Sequence, residues 1–132
     1  MRIYITHCSA KKADEYRGTD TAVTPDVLYT SSKTQCFIRE CKARKVRWAI
    51  FSDLYGIWFP EEKHCWYEKN PKNVNEDEFR ALMADFDEKL NAFNEICFYR
   101  NPGRFHFLYK RIVNTSRLNK RINLISRKDE II

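Results

Sequence analysis

No stretch of apolar residues approaches the roughly 20 that a membrane-spanning helix needs, so no membrane partner is expected. The N-terminus enters a β-branched run directly, without the charged and apolar regions of a signal peptide, and the expectation is a cytoplasmic protein. No Cys-x-x-Cys pair occurs. The five cysteines, Cys8, Cys36, Cys41, Cys65 and Cys97, are odd in number and irregularly spaced, which argues against a disulfide framework and for free thiols. Cys36, Cys41, His64 and Cys65 are available metal ligands. Positions five apart on a helix lie well off one face, however, so the spacing of a structural zinc site is missing and no metal or other cofactor is expected. Internal repeats and low-complexity segments are also missing. Between Arg104 and Lys128 there is not one Asp or Glu.

The residues present fit one globular domain spanning 1–132: 43% hydrophobic residues, 32% charged, and a length that supports a single core. The net charge of +6 is unevenly distributed. Arg104, Lys110, Arg111, Arg117, Lys120, Arg121, Arg127 and Lys128 form a purely basic segment, whereas 76–95 is acidic. A one-sided basic surface suits phosphate-bearing partners, nucleic acid above all. A solvated helix face is the plainer explanation.

Residues 2–7 are β-branched and aromatic and apolar on both faces, as in a buried parallel strand. The stretch 13–24 lacks periodicity and, with Gly18, Asp20 and Thr21, is expected as a loop. Pro25 opens a short helical turn, and Thr30-Ser31-Ser32 offers an N-cap for a helix from about Lys33 to Arg44. Val46 to Ser52 is a second strand. Asp53 to Gly56 is a turn, and Ile57-Trp58-Phe59-Pro60 an aromatic segment stopped by proline. The next stretch, 61–75, is polar, with Trp66-Tyr67-Glu68 as a flap over the strand ends. Asn75 and Glu78 make a capping box for a helix whose Phe79, Leu82, Met83, Phe86, Leu90 and Phe93 share a stripe. Residues 96–99 are a third strand, 101–103 a turn, 104–118 a basic helix and 122–125 a fourth strand. The alternation predicts an α/β fold: a single three-layer domain, mostly parallel, with about four strands and helices on both faces.

In open α/β sheets ligands bind at the carboxyl ends of strands. The first strand ends at His7-Cys8-Ser9-Ala10-Lys11-Lys12 and the second at Ser52-Asp53. If these strands are parallel neighbours, Cys8, Ser9 and Lys12 approach Ser52, Asp53 and Tyr55. The Lys12 ammonium would then lower the Cys8 pKa and favour the nucleophilic thiolate; alternatively Lys12 is itself the nucleophile. Backbone amides after Cys8 are a further place for a phosphate or carboxylate. A buried, inert Cys8 is the competing possibility. A cysteine-phosphatase loop is excluded, because the position that would hold its arginine is Asp14. Asp53 and Glu68 are the acids best placed for proton transfer.

Cys8-Ser9-Ala10-Lys11-Lys12, Leu28-Tyr29-Thr30-Ser31 and Ile50-Phe51-Ser52-Asp53-Leu54-Tyr55-Gly56, in that order, resemble the pattern of a prokaryotic domain family: a strand ending Cys-Ser-x-x-Lys, then Leu-Tyr-x-Ser, then Ser-x-x-Tyr-Gly. Tyr67-Glu68 is similar to that family's Tyr followed by an acid. The first element also resembles one in archaeosine synthases, where it belongs to a domain that modifies a deazaguanine base in tRNA. The resemblance covers about the first half of the chain and implies a nucleobase or nucleotide site.

The expectation is therefore an enzyme or enzyme-like domain directed at a nucleobase, nucleoside or nucleotide, including bases within nucleic acid. Cys8 or Lys12 would be the nucleophile, Ser9 and Ser52 would orient the substrate beside Gly56, Tyr55 and Tyr67 would stack on a base, and Glu68 would move protons. Two other classes remain. One is a nucleic-acid-binding module gripping phosphates through Arg104, Lys110, Arg111, Arg117, Lys120 and Arg121. The other is a phage or mobile-element accessory protein docking a partner on an exposed Ile57-Trp58-Phe59 patch.

Overall fold

The computed structural model describes residues 1–100 and 105–131, so the turn expected at 101–103 and the candidate Arg104 lie outside the described residues. Five strands form one sheet: β1 (Arg2–His7), β2 (Trp48–Ser52), β3 (Gly56–Trp58), β4 (Glu95–Tyr99) and β5 (Ile122–Ile125). Their order is β3-β2-β1-β4-β5. β1 pairs in parallel with both β2 and β4, and β4 with β5, while β3 runs back antiparallel along β2. The helices are α1 (Pro25–Leu28), α2 (Ser32–Ala43), α3 (Glu76–Leu90) and α4 (Phe107–Thr115). The fold is mixed α/β with a mostly parallel sheet, and it has one strand more than expected. Among the described residues no helix is long and apolar enough to cross a membrane.

The central strands are continuous apolar runs because both of their faces are covered. Ile3, Tyr4, Ile5, Ala49, Ile50, Phe51, Ile96 and Phe98 are all buried. Successive residues point to opposite faces. The ring of Phe51 meets Phe86 of α3 at 5.5 Å and Tyr109 of α4 at 5.7 Å. Its neighbour Ser52 instead bonds the Tyr67 hydroxyl, and Phe37 of α2 meets Tyr99 at 5.7 Å.

Two caps fix the helices that matter for the site. Ser31 Oγ accepts the amide of Thr34 at 3.2 Å and starts α2 one residue earlier than expected. Asn75 and Glu78 form the capping box of α3, whose Phe79, Leu82, Phe86 and Leu90 are buried.

β3 is the element that overturns the expected docking patch. Gly56, at φ +76°, closes a tight turn that sends the chain back along β2, a conformation glycine adopts freely. Ile57 and Trp58 are thereby fully buried, and the Trp58 indole donates to the Glu62 carbonyl at 2.8 Å. Phe59 is half-buried under the Arg47 guanidinium. An exposed Ile57-Trp58-Phe59 surface does not exist.

From β1 the chain passes to β2 on one side, then returns after α3 to β4 on the other. The sheet order therefore reverses between β1 and β4, and the loops leaving their carboxyl ends part. This is the place where open α/β sheets form ligand crevices.

Candidate functional site

A pocket of about 670 Å³ opens at that reversal. The end of β1 contributes Thr6 and His7, and the loop after it Cys8, Ser9, Lys11 and Lys12. Tyr99 comes from β4, Asp53 from the end of β2, and Ser31, Ser32, Lys33 and Thr34 from the first turn of α2. Lys69, Asn70, His106 and Tyr109 complete the wall.

Cys8 is anchored by its amide on the Phe51 carbonyl at 2.9 Å, and its thiol lies 3.3 Å from the Tyr109 hydroxyl. The expectation of an acidic thiol is corrected. Burial first, and then the Asp53 charge, push the Cys8 thiol up to about 11, so it is protonated at neutral pH. Lys12 does not offset this. Its ammonium lies 4.5 Å from the centre of the Tyr67 ring and 3.5 Å from the Ala10 carbonyl.

Asp53 is the functional group that sequence reasoning undervalues. It is only 3% exposed, yet it lines the pocket and its Oδ1 has no hydrogen-bond partner. Burial raises its carboxyl pKa, partly offset by interaction with the Cys8 thiol and the Lys12 charge. A second acceptor sits beside it. His7 Nδ1 lies 3.0 Å from the Cys8 carbonyl, which can only accept, so Nδ1 carries the proton. Burial lowers the His7 pKa and keeps the ring neutral, which leaves Nε2 as a lone-pair acceptor; it too is buried and unpartnered. The ring stacks on Tyr109 at 5.0 Å.

Ser9 lies in the pocket, with Thr34 Oγ1 donating to its hydroxyl at 3.5 Å. The other expected substrate contacts serve the scaffold. Ser52 is 0% exposed; it accepts the amides of Leu54 and Tyr55 at 3.1 and 3.0 Å and so shapes the turn into β3. Tyr67, 6% exposed and outside the pocket lining, accepts from Ser52 at 3.0 Å and meets the Tyr29 hydroxyl at 2.5 Å, and the Lys12 ammonium lies over its buried ring, where a base was expected to stack. Tyr55 stacks on His64 at 4.0 Å and donates to the Cys65 carbonyl. Gly56 lies in β3 against Asp85 of α3. Glu68 is 78% exposed in its side chain and pairs with Arg17 at 3.6 Å, away from the pocket lining. The expected flap is packed down by Tyr67 and by the bridge between Val23 and His64. Among the described residues no three of His, Cys, Asp and Glu gather as metal ligands.

The basic segment meets the acidic one. Arg111 forms a bidentate pair with Glu76 at 2.6 and 2.9 Å, and Arg117 reaches Asp87 at 3.9 Å. Arg121 donates to the Asn91 and Phe93 carbonyls just beyond α3. Lys110 and Lys120 are exposed. Much of the charge asymmetry along the sequence is thus internal pairing between α3 and the basic segment C-terminal to it.

Fold and pocket together define an α/β domain with a polar crevice at a topological switch point, rich in ammonium groups and holding two unpaired acceptors. Compared with family models, curated proteins and solved structures, the chain matches none.

Proposed function

We propose that this domain is a nucleotide-directed enzyme or enzyme-like domain whose working groups are Cys8, Asp53 and Lys12. The observation that carries the reading is their convergence on one pocket where a buried carboxylate oxygen is left without a donor. A buried unpaired acceptor costs about 1–3 kcal/mol, and a ligand bearing N–H or O–H groups removes that cost on binding. Nucleobases and ribose carry such donors, and the volume suits a ligand of that size. The scaffold we infer has three layers, with α2 on the face of Tyr99 and α3 with α4 on the face of Phe51.

The raised Asp53 pKa makes it the better base, and the neutral Cys8 thiol needs one. In the covalent step, Sγ bonds to an electrophilic carbon of the ligand as the thiol proton passes to Asp53. The displaced group leaves with the bonding electron pair and takes that proton from Asp53. Lys12 supplies positive charge beside the leaving group.

Calorimetry with bases, nucleosides and mononucleotides tests the reading. Saturable binding of at least one class, weakened tenfold or more by Lys12→Ala or Asp53→Ala, is expected. Binding by none of them, or affinities unmoved by both substitutions, would overturn it.

A further inference from the structure

The amides of Ser32 and Lys33 precede the first intrahelical bond of α2, which runs from Gln35 N to Ser31 O. They belong to the donors that a helix leaves free at its start. In this 12-residue helix that start forms part of the pocket wall. The Ser31 hydroxyl is committed to Thr34, so it cannot cover them. Lys11 and Lys33 line the same pocket and form no ion pair among the described residues. Lys69 is held by Glu78 at 2.7 Å and contributes less.

A helix start with ammonium groups around it favours an anion. The same pocket holds Asp53, 97% buried with Oδ1 unpaired, which repels an anion and demands a donor. The two demands are met together by a ligand anionic at one end and rich in donors at the other. A free inorganic anion meets only the first, and an uncharged base or nucleoside only the second.

We propose that the first turn of α2, with Lys11 and Lys33, is a phosphate subsite, so that the ligand of this pocket is a phosphate ester whose donor-bearing end faces Asp53. This deepens the nucleotide reading, on which the identity of the donor-bearing end rests. A terminal phosphate presents more charge to the lysines than a bridging one, and the commitment is to the phosphomonoester.

The helix start permits a clean test. Proline at the first helical position is compatible with a helix, because the amide it lacks has no intrahelical partner. Ser31, at φ −63° and ψ 143°, already has the extended conformation required before proline. Ser32→Pro therefore deletes one anion donor and keeps the helix, a result that circular dichroism checks. The probes are the four 5′-monophosphates, their nucleosides, a dinucleoside monophosphate and inorganic phosphate.

The wild-type protein is expected to bind a 5′-monophosphate at least tenfold more tightly than its nucleoside. In Ser32→Pro that ratio should fall by roughly tenfold, the worth of one charge-assisted hydrogen bond. A wild-type ratio near one, or a ratio unchanged in Ser32→Pro, overturns the proposal. Tighter binding of the dinucleoside monophosphate than of the monophosphate overturns the monoester assignment. If no nucleoside or nucleotide binds, the nucleotide reading fails while the subsite is still tested: inorganic phosphate must shift the Ser32 and Lys33 amide resonances, and its failure to do so ends the proposal. Should Ser32→Pro not fold, Lys11→Gln combined with Lys33→Gln carries the same expectation.

Discussion

The Cys8 thiol and the Tyr109 hydroxyl lie 3.3 Å apart, tying the end of β1 to α4 at the pocket wall. The contact places a thiol where water is scarce, and burial decides its chemistry. With its pKa pushed up to about 11, Cys8 reacts only when something takes its proton. The tie to Tyr109 lowers the thiol pKa, while the Asp53 charge raises it. Iodoacetamide should therefore label Cys8 more slowly than the half-exposed Cys36 and Cys65 at pH 7.5. Tyr109→Phe should slow Cys8 labelling further, as mass spectrometry of the labelled peptides would record. Faster labelling of Cys8 than of Cys36 would contradict the assignment.

The same thiol should be visible in stability. A thiol whose folded pKa is raised favours folding fully below its unfolded value of about 8.5, and that contribution is lost as pH rises to about 11. Across this window Cys8 accounts for a loss of about 3 kcal/mol, and Cys41, pushed up to about 12, adds to the slope. Urea denaturation from pH 8 to 11 should show the decline, shallower in Cys8→Ala. An equal slope in that variant would refute the burial assigned to Cys8.

Asp53 should cost stability at neutral pH. Its folded pKa is raised, so folding is favoured while the carboxyl is protonated and disfavoured once pH climbs through the folded value. Asp53→Asn is expected to gain roughly 1 kcal/mol at pH 7 by removing a buried charge. The gain should shrink toward pH 4, where the wild-type carboxyl is also becoming protonated. Loss of stability at pH 7 would mean that the interactions of Asp53 with the Cys8 thiol, the Lys12 charge and the Tyr67 hydroxyl outweigh the cost of its burial.

Gly56 should prove structural. A Cβ there would sit 2.2 Å from Asp85 Oδ2, the atom that accepts the Ile57 amide at 2.8 Å, and the residue would keep φ at +76°. Gly56→Ala should cost roughly 2–3 kcal/mol, from left-handed strain together with one lost hydrogen bond. Combination with Asp85→Ala should be less than additive, with the pocket unaffected. Additive losses would rule out the contact as the cause.

Nucleic-acid binding through the basic segment should be feeble. With Arg111, Arg117 and Arg121 engaged by α3 and the chain just beyond it, Lys110, Lys120 and Lys128 are the free cations among the described residues of that segment. The slope of log affinity against log salt should be no steeper than about −3, since each neutralised phosphate contributes about −0.9. Fluorescence anisotropy with duplex and single-stranded DNA would measure it. A slope near −6 would restore the binding-module reading.

Elements with a strong local signature were legible in the sequence. Asn75 and Glu78 announce α3, the apolar run 2–7 announces β1, and the hydroxyl cluster before Lys33 marks the start of α2. β3 was not legible, because three residues after a turn carry no periodicity and Gly56-Ile57-Trp58 looks like a loop until pairing with β2 buries it. The pairing of Glu76 with Arg111 is equally invisible, since 35 positions separate them. The sequence placed Cys8, Ser9 and Lys12 at a strand end, and these line the pocket. Ser52 was expected to orient a substrate, Tyr67 to stack on a base and Asp53 to move protons. Only the alternation of β2 and the turn after it determine that the first two are sealed in the scaffold while Asp53 reaches the pocket.

The most direct test of a phosphate ester bound at the carboxyl ends of β1 and β4 is an amide chemical-shift map during titration with 5′-mononucleotides. Saturable shifts should cluster at residues 8–12, 32–34 and 53, with Lys110 and Lys120 silent. Shifts confined to the segment from Lys110 to Lys128, or no saturable shift with any of the nucleotides, would contradict it.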